Sequence, residues 1–169
     1  ARVVTLSPGM KEAVVATGYP EDRVVVIPNS ADIDLFRVPP ERGQEFLESH
    51  PYLGGRTLVT YAGTLGQANG VGYIVDIAKA MSRLDDGVGF LIVGDGREHD
   101  AIREKAEDLG VLRSNLWMLP PVPKRDMPAV LSASTVSACL FINVPALWHN
   151  SANKFFDSLA AGRPVMINY

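Results

Sequence analysis

The chain reads as an α/β protein built on an open, doubly wound parallel sheet. Runs of strand length alternate with segments of helical period along its whole length. Several of those runs are apolar without alternation, as strands buried on both faces are. Glycine directly follows two of them, at Gly63 and Gly94, where a strand must turn into a helix.

Strands are expected over residues 3–6, 24–27, 58–62, 89–93, 116–119, 136–141 and 165–168. Residues 1 to about 35 make one strand-helix-strand unit ending in Pro28-Asn29. A polar stretch then runs to about residue 56, with Pro39-Pro40 marking a boundary and a helix expected over 41–49. Val71, Ile74, Val75, Ala78 and Met81 share one helical stripe; Ile102, Ala106 and Leu109 share another, stopped by Gly110. A short helix follows over 127–132. The last helix should begin at an N-cap, Asn150 or Ser151, and end at Gly162 with Pro164 beyond. On a wheel of about 100° per residue, Asn150, Asn153, Lys154 and Asp157 fall on one narrow face. Phe155, Phe156 and Leu159 lie opposite and are expected to pack on the sheet. The helix thus offers an acid, a base and amides on one side, with its positive end free to meet an anion. A solvated surface helix would show the same pattern.

Composition narrows the function classes. The chain has 169 residues, 47% hydrophobic and 21% charged, which suits one domain with a core and a piece of another. Its net charge of −3 and the absence of a basic run argue against nucleic-acid binding. The single cysteine, Cys139, sits in an apolar run and reads as a buried core thiol. The three histidines and this cysteine lack metal-ligand spacing. No apolar run approaches the roughly 20 residues of a membrane span. No signal peptide is visible at the start, and Ala1 opens directly on a strand-like run, which suggests a fragment.

The stretch from His149 to Val165, with Asn-Ser-x-Asn-Lys-Phe-Phe-Asp-x-Leu-Ala-Ala-Gly-Arg-Pro-Val, resembles the donor-site helix of the retaining, nucleotide-sugar-dependent glycosyltransferases of family 4, which have the GT-B fold. The nearest likeness is to bacterial members that build surface polysaccharide and lipopolysaccharide. Three further segments agree, in order. Val24-Val25-Val26-Ile27-Pro28-Asn29-Ser30-Ala31-Asp32 with Phe36 is similar to the stretch joining the two domains. Tyr61-Ala62-Gly63-Thr64-Leu65-Gly66 resembles the first loop of the donor domain, and Leu91-Ile92-Val93-Gly94-Asp95-Gly96 its second. The resemblance implies that residues 1–35 are a remnant of an N-terminal acceptor domain. It also implies that residues 36–169 are a C-terminal nucleotide-sugar-binding domain, incomplete at its C-terminal end.

Each candidate site has a plain alternative. Gly63, Thr64 and Gly66 would let backbone N–H groups approach a diphosphate, or would serve an ordinary tight turn. The family often follows this loop with an arginine and a lysine that clamp the diphosphate; residues 64–69 carry no cation here, leaving Lys154 or Lys124 as substitutes. Gly94, Asp95 and Gly96 form a second loop at the carboxyl edge of the sheet and read as a pocket wall, with Asp95 alternatively capping the next helix. Val122, between Pro121 and Pro123, is the backbone group best placed for a nucleotide base. Asp157 would hold a ribose diol, standing where the family usually has glutamate. His149 occupies the position of the family's other glutamate, eight residues earlier; it would contact a donor-sugar hydroxyl or the phosphate, or is simply a loop histidine beside Trp148. His149 and Lys154 are the catalytic candidates; Asn150 and Ser151 join the donor-binding set.

The expected function is therefore transfer of a sugar, with retention, from a nucleotide-sugar to a glycan or lipid-linked acceptor in polysaccharide or lipopolysaccharide biosynthesis. Stabilising the leaving diphosphate is the main catalytic demand. No Asp-x-Asp pair is read as a metal site, so neither a divalent ion nor another cofactor is expected. The parent would be cytoplasmic, with peripheral contact at the inner face of the membrane. The isolated chain is expected to be inert without its N-terminal domain and to form a non-native dimer through its first strands. The alternatives are a sugar-nucleotide epimerase of the same architecture, for which only Asp157 is on hand as an acid, and a receiver-like signalling domain, which would need paired acids at strand ends.

Overall fold

The computed structural model describes residues 1–168. Two separate parallel sheets organise the chain. The smaller pairs β1 (Val3–Thr5) with β2 (Val24–Val26), and α1 (Pro8–Ala16) makes the crossover. Ser7 caps α1 by accepting the Met10 N–H at 3.2 Å, and Pro8 fills the first turn, where no N–H is needed. Val24 is buried, whereas Val4 and Val25 are exposed. The first strands pair with each other and leave an apolar face uncovered.

The larger sheet contains β3 (Thr57–Ala62), β4 (Val88–Val93), β5 (Leu116–Leu119), β6 (Val136–Cys139) and β7 (Val165–Ile167). All its pairings are parallel, in the order β5-β4-β3-β6-β7. The chain builds outward from β3 to β5 and then returns to the other side of β3 for β6 and β7. The direction of winding reverses between β3 and β6, so a crevice opens at their carboxyl ends.

The helices are α2 (Ile33–Phe36), which the sequence pattern did not indicate, α3 (Glu41–Ser49), α4 (Gly72–Met81), α5 (His99–Asp108) and α6 (Met127–Ala133), which follow it closely, and α7 (Asn153–Ala160). One core packs α4 and α5 on the sheet through Ile74, Val75, Ala78, Ile102 and Ala106 against Tyr61, Phe90 and Ile92. The opposite core sets α3 and α6 against Leu58, Leu91, Val93 and Trp117. Phe90 and Ile92 point to one face of β4, Leu91 and Val93 to the other, which is why that strand is apolar throughout. Burying each such side chain contributes about 1.5–3 kcal/mol.

Gly43 has a packing role that its helix pattern conceals. A Cβ there would lie 2.6 Å from the Ser132 carbonyl carbon, so α3 crosses α6 backbone to backbone.

The last helix departs from expectation at its start and on its apolar face. It begins at Asn153, with Ala152 in the capping position and no side-chain cap. Asn150 and Ser151 remain in the preceding loop, where the Ser151 carbonyl accepts a hydrogen bond from Asn29 Nδ2 and Ser7 Oγ donates to the His149 carbonyl. These ties to the first sheet hold the loop extended in place of another helical turn. Leu159 is 51% exposed and does not pack on the sheet. Phe155 and Phe156 contact each other edge-on and line a groove with Leu6, Pro8 and Pro28. The buried residue of α7 is Ser158, whose hydroxyl donates to the Lys154 carbonyl. The end of α7 is as expected: Gly162 has φ 68° and its N–H returns to the Leu159 carbonyl.

Candidate functional site

A cavity of about 380 Å³ occupies the crevice between β3 and β6. Its walls include Ala62, Gly63 and Thr64 after β3, Ser137 on β6, Val122 and Lys124 before α6, and Asn153, Lys154 and Asp157 on α7. A neighbouring chamber of about 230 Å³ adds Gly94, Asp95 and Pro121, and shares Gly63, Thr64 and Val122 with the first.

The glycine loops form the backbone wall. Gly63 N–H donates to the Val93 carbonyl, and Leu65 N–H donates to the Asp95 carbonyl, so the two loops are joined edge to edge. A Cβ on Gly94 would sit 1.9 Å from the Gly63 carbonyl oxygen, and one on Gly96 would sit 2.4 Å from that of Leu65. Both glycines also have positive φ, 154° and 157°. Gly96 thus supports the wall from behind, and neither it nor Gly66 lines either chamber. Asp95 accepts the Gly96 N–H, and α5 starts only at His99, so Asp95 does not cap that helix.

Lys154 crosses the cavity from α7 to this wall. Its ammonium donates to the Tyr61 hydroxyl at 2.8 Å and to Asn69 Oδ1 at 3.1 Å. Tyr61 and Asn69 in turn both donate to the Thr64 carbonyl, at 2.8 and 3.0 Å. The ammonium also lies 4.3 Å from the centre of the Tyr61 ring. Among the described residues, no carboxylate pairs with Lys154 or with Lys124. Burial, which the Cys139 thiol partly offsets, lowers the Lys154 ammonium to about 8.

Asp157 faces the same space one turn later. Its Oδ1 is buried and has no hydrogen-bond partner among the described residues. Burial raises the carboxyl above its usual range, and Lys124 pulls it back. The Ser137 hydroxyl, also on the cavity wall, is likewise buried without a partner. The cavity therefore holds two ammonium groups, one carboxylate with an unused oxygen and a buried hydroxyl. Unsatisfied buried groups of this kind cost about 1–3 kcal/mol each, and a ligand bearing both an anion and hydroxyl donors would satisfy them.

Not every candidate joins this cavity. Asn150 and Ser151 line the groove at the first sheet. His149 is exposed, with its ring packed on Gly9 of α1, where a Cβ would come within 2.2 Å of the imidazole. The sequence does not single out Tyr61 or Asn69 as site residues, because an aromatic in a buried strand reads as core and an asparagine before glycine reads as a turn. The chain does contain one Asp-x-Asp spacing, Asp32-Ile33-Asp34, against the expectation of none. Asp32 uses its side chain to cap α2, accepting the Leu35 N–H at 3.1 Å.

No protein-family model and no curated protein matches the chain. Solved structures do resemble it. HepE from Anabaena, crystallised with UDP and glucose, aligns with 98% of this chain and 44% of its own at a TM-score of 0.83 and 19% identity. A glycosyltransferase from Rickettsia africae ESF-5 aligns over 98% and 44% at 0.77 and 17% identity. WaaG, a glycosyltransferase involved in lipopolysaccharide biosynthesis, aligns over 98% and 44% at 0.78 and 17% identity. The chain spans about 44% of the length of these matched proteins. Its five-stranded parallel sheet with helices on both faces has the Rossmann-like fold of one half of the GT-B glycosyltransferases.

Proposed function

We propose that this chain carries the donor-binding half of a glycosyltransferase. The parent would transfer a sugar, with retention, from a nucleotide-sugar to a glycan or lipid-linked acceptor in polysaccharide or lipopolysaccharide biosynthesis. One observation carries the reading: an ammonium without a carboxylate partner and a carboxylate oxygen without a donor, both among the described residues, share one cavity at the sheet's switch point. A nucleotide-sugar offers both complements, since its diphosphate is anionic and its ribose is a vicinal diol. The neighbours' crystals with UDP and with UDP-glucose support the same ligand class.

On this reading Lys154 and the backbone N–H of Thr64 meet the diphosphate, while the Gly63 N–H is taken by the Val93 carbonyl. Asp157 accepts from the ribose hydroxyls, and Val122 borders the base. As the sugar–phosphate bond breaks, negative charge grows on the leaving diphosphate, and a preorganised ammonium in a water-poor cavity stabilises it. This chemistry requires no divalent ion, and Asp32 and Asp34 have no part in it. His149 belongs to the junction of the two sheets, and no step is assigned to it. Residues 1–35, on their own small sheet, are read as the edge of an acceptor-side domain.

A calorimetric panel of UDP, ADP, GDP, CDP and TDP against this chain tests the reading. Selective binding of one of them is expected. Asp157→Ala should weaken that binding by about 10- to 100-fold, the value of lost hydrogen bonds to a charged group, with a melting temperature held or raised. Failure of all five to bind would remove the reading.

A further inference from the structure

We infer that Tyr61 is the positioning residue that aims Lys154 at the ligand's diphosphate, with Asn69 as its second support. The inference rests on the nucleotide-sugar reading for the identity of the anion, but its geometry stands independently of it. Tyr61 is fully buried at the carboxyl end of β3 and would ordinarily pass as a core aromatic. Its hydroxyl, however, joins a closed set of four hydrogen bonds. Tyr61 and Asn69 both donate to the Thr64 carbonyl and both accept from the Lys154 ammonium.

This arrangement has a direction. Because the Tyr61 proton goes to Thr64, its lone pairs are left for Lys154. Burial raises the phenol well above its usual value, so it stays protonated and the polarity holds. Asn69 has the same sense, with its amide N–H on Thr64 and its oxygen on Lys154. An ammonium has three donors, and the ring uses two of them, leaving one for the cavity that Lys154 lines. Lysine has a long, flexible stem that would otherwise sample many rotamers. Gly63 closes the remaining side: a Cβ there would lie 3.3 Å from Lys154 Cε and 3.5 Å from the Tyr61 hydroxyl. The ring thereby replaces the Arg/Lys clamp that residues 64–69 lack, with the cation supplied from α7.

The titratable groups facing Lys154 are Tyr61 on β3 and Cys139 on β6, with Asp157 on α7 and Lys124 before α6 along the same cavity wall. Tyr61→Phe removes only the hydroxyl. Two readouts separate positioning from packing. The first is the titration of the Lys154 ammonium in the ligand-free chain, followed by NMR and identified with Lys154→Met. The second is calorimetric affinity for UDP-glucose, whose diphosphate diester keeps its charge between pH 6 and pH 9. Loss of an acceptor for the ammonium should move the Lys154 titration in Tyr61→Phe to lower pH. Affinity at pH 7 should fall by about threefold to tenfold, and its alkaline decline should begin earlier. Asn69→Ala, at a less buried position, should move both readouts in the same direction and carries the test if Tyr61→Phe fails to fold. A Tyr61→Phe protein with a lowered melting temperature but unchanged titration and pH profile would overturn the inference. If UDP-glucose binds, and Lys154→Met abolishes that binding while Tyr61→Phe and Asn69→Ala change neither readout, the nucleotide-sugar reading stands and this inference falls. If both variants shift the titration but UDP-glucose does not bind even the unaltered chain, the positioning role stands and the nucleotide-sugar reading falls.

Discussion

The two walls of the cavity are made in opposite ways. The wall at residues 63–66 and 94–96 is backbone packed on backbone, closed so tightly that single hydrogens stand where side chains would be. The wall on α7 is made of side chains, and among the described residues no opposite charge is bonded to its two charged members, Lys154 and Asp157. The first wall is needed for the fold to close. The second works against stability: burying the ammonium disfavours its charged form, and burying Asp157 does the same to its carboxylate. Lys154 is compensated only by neutral partners, Tyr61 and Asn69, and the buried Asp157 Oδ1 by none among the described residues.

The largest test breaks the backbone wall. Gly94→Ala places a methyl 1.9 Å from the Gly63 oxygen at a φ of 154°. Overpacking and strain together should cost about 3–5 kcal/mol, read as a large fall in the urea midpoint.

Next comes the charged wall. Lys154→Met removes the cation but keeps most of the apolar stem. It should weaken nucleoside-diphosphate binding by about 30-fold or more, the scale of a charge-assisted contact. Stability should hold or rise by about 1–3 kcal/mol, since a desolvated charge is gone. Paired calorimetry and thermal melts check both halves; loss of stability together with binding would erase the contrast between the walls.

The pH dependence sharpens the comparison further. The folded-state Lys154 value, about 8, lies below its ordinary 10.5. Between these values the unfolded chain holds more protons on this group than the folded chain. Its contribution therefore raises stability as pH climbs through that window. Affinity for an anion should move the other way, falling as pH passes 8 and the ammonium is lost. Affinities measured from pH 6 to 9 test this, and a flat profile would mean that Lys154 does not meet the anion.

The smallest expected effect is Leu159→Ser. Because Leu159 is 51% exposed, the change should stay within about 0.5 kcal/mol and leave binding unaltered. A melt showing a larger loss would mean that α7 packs more of its apolar side than its exposure indicates.

Much of the architecture was legible in the chain because it depends on local pattern. The seven strands fall within one or two residues of the apolar runs, and α3 occupies the expected 41–49. Gly63 and Gly94 mark their turns because only glycine tolerates that backbone. The start of α7 was not legible. Asn150 and Ser151 have the chemistry of caps, but hydrogen bonds from Ser7 and Asn29, more than 120 residues away, hold their loop. Gly43 shows the same limit, since its value lies in the approach of another helix.

The sequence alone determined the alternation of strands and helices, the buried faces of α4 and α5 and the glycine turns. Each is set by near neighbours, periodicity and the steric limits of the backbone. Only the tertiary structure decided which polar groups meet. Lys154 reaches Tyr61 across 93 residues and Asn69 across 85, while His149, close to Lys154 in the chain, turns to Gly9 instead. Reversal of the winding between β3 and β6 brings the first pair together, and an apolar pattern carries no information about a hydrogen bond made over such a distance.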